Sequence, residues 1–221
     1  MGMFSWLFGK PSRVTERDVI WLTSAARMRG AVRSVQTHLA ARRSVLVLAQ
    51  FPETLVTFAS EAGGSSRVCV AVPSVVSPET ALKLARESPE FPCILLGLVR
   101  NLEPAEFPLP DTAPHSPLPV VVLERHLLRK HDDRVIQFAE GLGSKAAVEF
   151  HVSLDDPLMA RFAGEWVTNA LRALGMKEGE AIDSAIVGRR IEQAQAKIAK
   201  TIDTDDDAES AADWLERNRT R

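Results

Sequence analysis

Five short runs rich in valine, leucine and isoleucine, at 45–49, 67–72, 93–99, 120–124 and 147–152, recur along the chain, most of them separated by stretches with helical patterning. A strand that is apolar on both faces must be covered on both faces. Parallel sheets meet that requirement with crossover helices, so the pattern predicts an α/β fold: a mostly parallel sheet flanked by helices.

The helical stretches carry their own signals. Thr23 is a candidate N-cap for a helix to about Arg42, in which Met28, Val32, Val35 and Leu39 recur at three- and four-residue spacing. Shorter helices are expected at about 53–61, stopping at Gly63 and Gly64, and at 78–87. Prolines at 104, 108, 110, 114, 117 and 119 remove backbone donors and bias their predecessors away from helix, so 101–119 reads as a loop. A helix at about 129–141 then leads to the last strand.

Beyond that strand, Asp156 can cap a helix that opens on Pro157 and ends at Gly175 in a left-handed conformation. Leu158, Met159, Phe162, Val167, Leu171 and Leu174 form its apolar face. Burying each such side chain is worth about 1.5–3 kcal/mol. A further helix at 184–202 carries Val187, Ile191, Ala194 and Ile198 on one stripe. The acidic run 203–207 reads as a solvated linker, followed by a short helix holding Trp214 and Leu215.

Composition narrows the function classes. With 221 residues and 45% hydrophobic content, the chain can bury one sizeable core, which favours a single α/β domain with appended helices. A formal charge of −2 gives no reason to expect nucleic-acid binding. Cys69 and Cys93 lie in apolar runs at no metal-ligand spacing and read as buried free thiols of a reducing compartment. No apolar run approaches the roughly 20 residues that span a bilayer. The amino terminus lacks the features of a signal peptide, so the expected location is cytoplasmic. Met3, Phe4, Trp6, Leu7 and Phe8 nevertheless cluster beside Lys10 and Arg13. They form either a peripheral anchor at the inner membrane or a patch that packs on the domain or on a partner chain.

Between 124 and 195 several short motifs follow in a fixed order: Glu124-Arg125-His126, Ser153-Leu154-Asp155-Asp156, Leu174-Gly175-Met176, Gly179-Glu180-Ala181-Ile182 and Ala194-Gln195. Together they resemble SecA, the ATPase motor of bacterial preprotein translocation. The stretch 18–23, Asp-Val-Ile-Trp-Leu-Thr, looks like the entry to the second SecA motor lobe, and the resemblance covers roughly 18–200. It implies an amphipathic segment at 1–17, a RecA-like lobe at 18–175, a helix of SecA type at 176–203, and an acidic linker with a short tail helix at 204–221. A similar amphipathic amino terminus contacts lipid in SecA.

Against that pattern, parts of the motor are missing. No G-x-x-x-x-G-K-[ST] loop occurs, and in SecA that loop belongs to the first lobe. Arg100-Asn101-Leu102-Glu103 stands where the family has a glycine- and threonine-rich turn ending in aspartate. The family signature Q-x-x-G-R-x-G-R is replaced at positions that read Arg134, Gln137, Phe138, Glu140 and Gly141. Arginines placed across such a lobe interface accelerate phosphoryl transfer by about 10³ to 10⁵. Neither Phe138 nor Gly141 can neutralise a phosphate.

The resemblance therefore implies a non-catalytic module, without catalytic residues or a required cofactor, that binds SecA, the translocon or a client protein. Two alternatives stand beside it: a sensor that binds ADP or ATP weakly without hydrolysis, and a structural protein of unrelated role on the same fold. Glu124, Arg125 and Arg129 are the residues of a remnant nucleotide cleft; the alternative for Glu124 and Arg125 is an ion pair that fixes the turn after the strand. His115, His126, His131 and His151, with Asp132 or Asp133, show no recognised ligand spacing, so structural roles and no metal are expected. No G-x-S-x-G elbow suggests nucleophilic catalysis.

Overall fold

A computed structural model describes residues 14–63, 69–72, 74–87, 91–104, 118–143, 146–160, 169, 173, 175–182 and 185–218. Six strands, β1 (Thr15–Trp21), β2 (Val45–Ala49), β3 (Cys69–Ala71), β4 (Ile94–Leu98), β5 (Val120–Val122) and β6 (Ala147–Ser153), form one sheet in the order β1-β6-β5-β2-β4-β3. Every neighbouring pair is parallel, which is the sheet class expected from the apolar runs. The described helices are α1 (Ser24–Ala40), α2 (Pro52–Ala62), α3 (Pro78–Glu87), α4 (Arg129–Glu140), α5 (Pro157–Ala160), α6 (Ala185–Ile198) and α7 (Ala211–Arg217).

The pleat of β2 shows how the layers are built. Val45, Val47 and Ala49 join Met28, Val35, Leu39 and Phe58 of α1 and α2 on one face. Leu46 and Leu48 point the other way, into a cluster with Leu82 and Ala85 of α3 and Val135 and Phe138 of α4. A third apolar cluster closes the end of the sheet and contains Ile20, Phe51, Leu127, Ile191 and Trp214. Thr23 caps α1 as expected, its hydroxyl accepting the Ala26 N–H at 3.2 Å. Gly175 takes the left-handed φ of +88° expected at its position.

The structure differs from the sequence expectations at several points. The first strand, β1, was not anticipated. Its opening residues Thr15, Glu16 and Arg17 are exposed, because β1 is an edge strand paired with β6 on one side only. Its other edge meets Ile182 in an antiparallel bridge at Ile20. The Asp156 side chain does not cap α5. It turns back to accept the Ser153 N–H at 2.9 Å and binds Arg27 through both oxygens at 2.8 Å. The run 203–207 is exposed except at Asp205, which is half-buried and anchors α7 through Trp214. Among the described residues no helix is long and apolar enough to cross a membrane. The Cys93 thiol is free and buried, whereas the Cys69 side chain, most of loop 101–119 and the middle of the helix expected at 157–174 lie outside the described residues.

Gly30, inside α1, marks the tightest approach between a helix and the sheet. A Cβ there would overlap the indole of Trp21, which is only 5% exposed and whose Nε1–H donates to His151 Nδ1 at 3.2 Å. In an open helix interior, glycine to alanine stabilises by about 0.5–1 kcal/mol. Here overpacking decides the sign, and Gly30→Ala is expected to destabilise by about 1–3 kcal/mol in urea denaturation.

Candidate functional site

Open α/β sheets bind ligands beyond the carboxyl ends of their strands, and Glu124, Arg125 and His126 leave β5 at that edge. Each is turned inward by a different neighbour. One Glu124 carboxylate oxygen accepts the Gln50 and Phe51 N–H groups, both at 3.2 Å, and the other accepts the Thr54 hydroxyl at 2.7 Å. The side chain thus fills the donor-rich start of α2, where an anion would otherwise be held. Burial pushes the Glu124 carboxyl up to about 7, against the nearby Arg27 guanidinium at 4.0 Å.

Arg125 lies flat over the Phe150 ring at 3.7 Å, with its side chain 4% exposed. Its guanidinium donates to Asp18 at 2.9 Å, Glu16 at 2.6 Å and Asp132 at 3.3 Å. Asp132, in the first turn of α4, is fully buried and gathers donors from three further places. It accepts Gln50 Nε2 from the end of β2 at 3.0 Å, the His126 backbone N–H at 3.0 Å and Gln195 Nε2 from α6 at 2.7 Å. Burial raises its carboxyl to about 6, even with Arg125 drawing it down. Gln195 also donates to the His126 carbonyl at 2.8 Å, so two acceptors fix the orientation of its amide.

The structure therefore brings Glu124, Arg125 and Arg129 to one strand end, burying the first two and leaving Arg129 partly exposed among carboxylates. Arg129 is held by Asp133 at 2.8 Å, Glu192 at 3.4 Å and Glu16 at 3.8 Å. On α4, Phe138 is fully buried in the core, Gln137 and Glu140 are exposed, and Gly141 is the C-cap. Arg134 donates to the Arg100 carbonyl at 3.2 Å.

The histidines separate. His151 lies on β6 beside Trp21, its Nε2 3.7 Å from Glu149, too far for a hydrogen bond. His126 and His131 do meet, with ring centroids 3.8 Å apart. The carboxylate beside them is Asp205, because Asp132 and Asp133 are engaged by the arginines. Among the described residues His126, His131 and Asp205 are the group that could hold a metal ion, with ligand atoms within 4.8 Å of one another. Several of these atoms already have hydrogen-bond partners. Nδ1 of His126 accepts the Leu128 N–H at 3.0 Å, which leaves the proton of the neutral ring on Nε2. Asp205 takes hydrogen bonds from Lys130 at 2.6 Å, His131 at 2.8 Å and Trp214 Nε1 at 3.0 Å. His115 and the amino-terminal Phe4, Trp6, Leu7 and Phe8 lie outside the described residues.

Sequence reading missed the central part of Asp132 and the tail residues Asp205 and Trp214. A helix-opening aspartate six residues after His126 is an available signal for the first.

Comparison with known proteins places this strand end within a recognisable segment. The family described as the SecA P-loop domain matches residues 112–179. The protein translocase subunit SecA of Xanthomonas campestris pv. campestris (strain B100) is 40% identical over 81 residues, which is 37% of this chain and 9% of the relative. SecA of Xanthomonas oryzae pv. oryzae (strain PXO99A) matches to the same extent. Among solved structures, the C-terminal part of the Fun30 ATPase domain aligns with a TM-score of 0.42 and 7% identity, covering 77% of this chain and 54% of that one. The chain thus carries a SecA-like region, and its match spans about a tenth of the length of these SecA relatives.

Two outcomes test the buried network. Asp132→Ala leaves Arg125 and Gln195 short of their shared acceptor and is expected to cost about 3–5 kcal/mol in denaturant unfolding. His126, by contrast, reports through pH. Burial holds it down at about 3, so its share of stability is complete above its ordinary 6.5 and is lost as the pH falls toward 3. His126→Asn keeps an acceptor for Leu128 but does not titrate. The stability gap between wild type and this variant is expected to shift by about 2 kcal/mol against wild type between pH 7 and pH 5.

Proposed function

We propose that the chain is a non-catalytic protein-interaction module linked to preprotein translocation. The observation that carries this reading is that the strand end is satisfied from within. Arg125 and Arg129 are bound by carboxylates, and the amino end of α2 is filled by Glu124. An arginine that assists phosphoryl transfer must present its guanidinium to the phosphate, and the position where the resemblance puts one holds the buried Phe138. Glu124 also opposes nucleotide binding, since a phosphate at the start of α2 has to displace a carboxylate that already occupies those donors. The SecA-like region supports the link to translocation, with SecA itself or another translocase component as the partner. A cytoplasmic location, with or without peripheral contact with the membrane, follows from that partner.

Purified full-length chain is expected to release no phosphate from ATP above a protein-free control and to give no calorimetric heat with ADP. Tagged at its native level, it is expected to co-purify with translocase subunits. ATP turnover that co-elutes with the chain through successive columns would overturn the non-catalytic part of the reading. Recovery of an unrelated complex free of translocase subunits would overturn the rest.

A further inference from the structure

The segment after α6 makes many of its hydrogen bonds within itself. Asn218, only 1% exposed, accepts the Thr204 hydroxyl at 2.8 Å and the Asp206 N–H at 2.7 Å on its side-chain oxygen. Its amide donates to the carbonyls of Asp206 at 3.1 Å and Trp214 at 2.9 Å. Ser210 caps α7 through the Asp213 N–H, and Arg217 closes on Asp213 and on the Asp207 carbonyl. None of these bonds needs the sheet. Residues 204–218 therefore form a loop-and-helix clasp closed by its own hydrogen bonds.

The surface that receives the clasp has a complementary chemistry. Trp214, 1% exposed, sets its ring edge-on to His126, which in turn stacks on Phe51. Lys130 and His131 hold Asp205, and Arg100 reaches Asp207 at 3.3 Å. The Glu209 carbonyl accepts the Glu53 N–H at 3.1 Å, at the electropositive start of α2. An aromatic slot ringed by cations and donors thus holds an acidic polypeptide with one tryptophan anchor, at the sheet edge where this fold class takes its ligands.

We propose that this face is a docking surface for an acidic, tryptophan-bearing protein segment, filled in cis by residues 204–218 and by a partner's segment of the same chemistry on assembly. The inference rests on the interaction-module reading and names the partner class for it. Tethering gives the chain's own clasp an effective concentration of about millimolar order, so a partner segment competes only when its affinity exceeds that level or the clasp is loosened. A basic or uncharged partner would leave Lys130 and Arg100 without counter-charges.

The test uses the full-length chain carrying Trp214→Ala, titrated with a fluorescein-labelled peptide of residues 203–218. The variant chain is expected to bind the peptide at least tenfold more tightly than wild type, whose slot is filled. Adding Lys130→Glu to the chain, or replacing the tryptophan of the peptide by alanine, is expected to weaken binding tenfold or more. Should Trp214→Ala fail to unfold cooperatively, Asn218→Ala takes its place, because it loosens the clasp without touching the receiving surface. No peptide binding to a cooperatively folded variant, or binding indifferent to both Lys130 and the peptide tryptophan, overturns the docking surface. That failure leaves co-purification with translocase subunits intact, whereas loss of co-purification with peptide binding intact removes the translocation link alone.

Discussion

The Asp132 carboxylate is the point at which separate parts of the chain are brought into register. It is fully buried, and its partners come from the end of β2 (Gln50), the turn after β5 (Arg125 and His126) and α6 (Gln195). Through Arg125 the same network reaches Glu16 and Asp18 on β1. A sheet whose strands are nearly all apolar can slide or rotate its covering helices at modest cost, because dispersion contacts are not directional. A buried carboxylate with four specific donors cannot. Any displacement of α6 against β5 strands a charge or an amide in the interior, at a cost of about 1–3 kcal/mol for each neutral group and more for each charge.

The sheet around this network, though not the network itself, is legible in the sequence. The apolar runs specified the parallel sheet because each of them had to be covered on both faces, and Thr23 and Gly175 announced their local conformations through steric and hydrogen-bonding preferences that act within a few residues. What stayed hidden depended on partners distant in sequence. The strand β1 opens with Thr15, Glu16 and Arg17, a polar stretch that carries no strand signal by itself and becomes a strand because β6 offers it an edge. Asp156 had the right neighbours for a cap, yet Arg27, 129 residues away, outcompetes the local N–H groups with a charged bidentate bond. Within the acidic run 203–207 the anchoring role of Asp205 is hidden because Lys130 and His131, which hold it, lie far away along the chain.

The candidate site follows the same division. Sequence reading placed Glu124, Arg125 and Arg129 together and left open whether they formed a ligand cleft or an ion pair. The partners themselves lie far away along the chain: Glu16, Asp18 and Glu192 help to hold the two arginines, and Glu124 meets Arg27 rather than Arg125, which no local pattern reveals. Phe138 is the opposite case. Its apolar side chain at that point of α4 could be read directly as unable to meet a phosphate, and its burial beside Val135 and Ala139 is what helical periodicity demands.

These facts separate two properties that a motor lobe combines. Register among β1, β5, α4 and α6 is kept by polar groups that face inward around Asp132. Chemistry on a phosphate needs polar groups that face outward across a cleft. The two sets can occupy one helix, because residues three and four apart share a face while intervening ones do not. In α4 the inward set, Asp132 with Val135, Phe138 and Ala139, forms a complete stripe, and the exposed positions are Lys130, Gln137 and Glu140. The buried network can therefore hold the fold whatever the outer face of α4 presents.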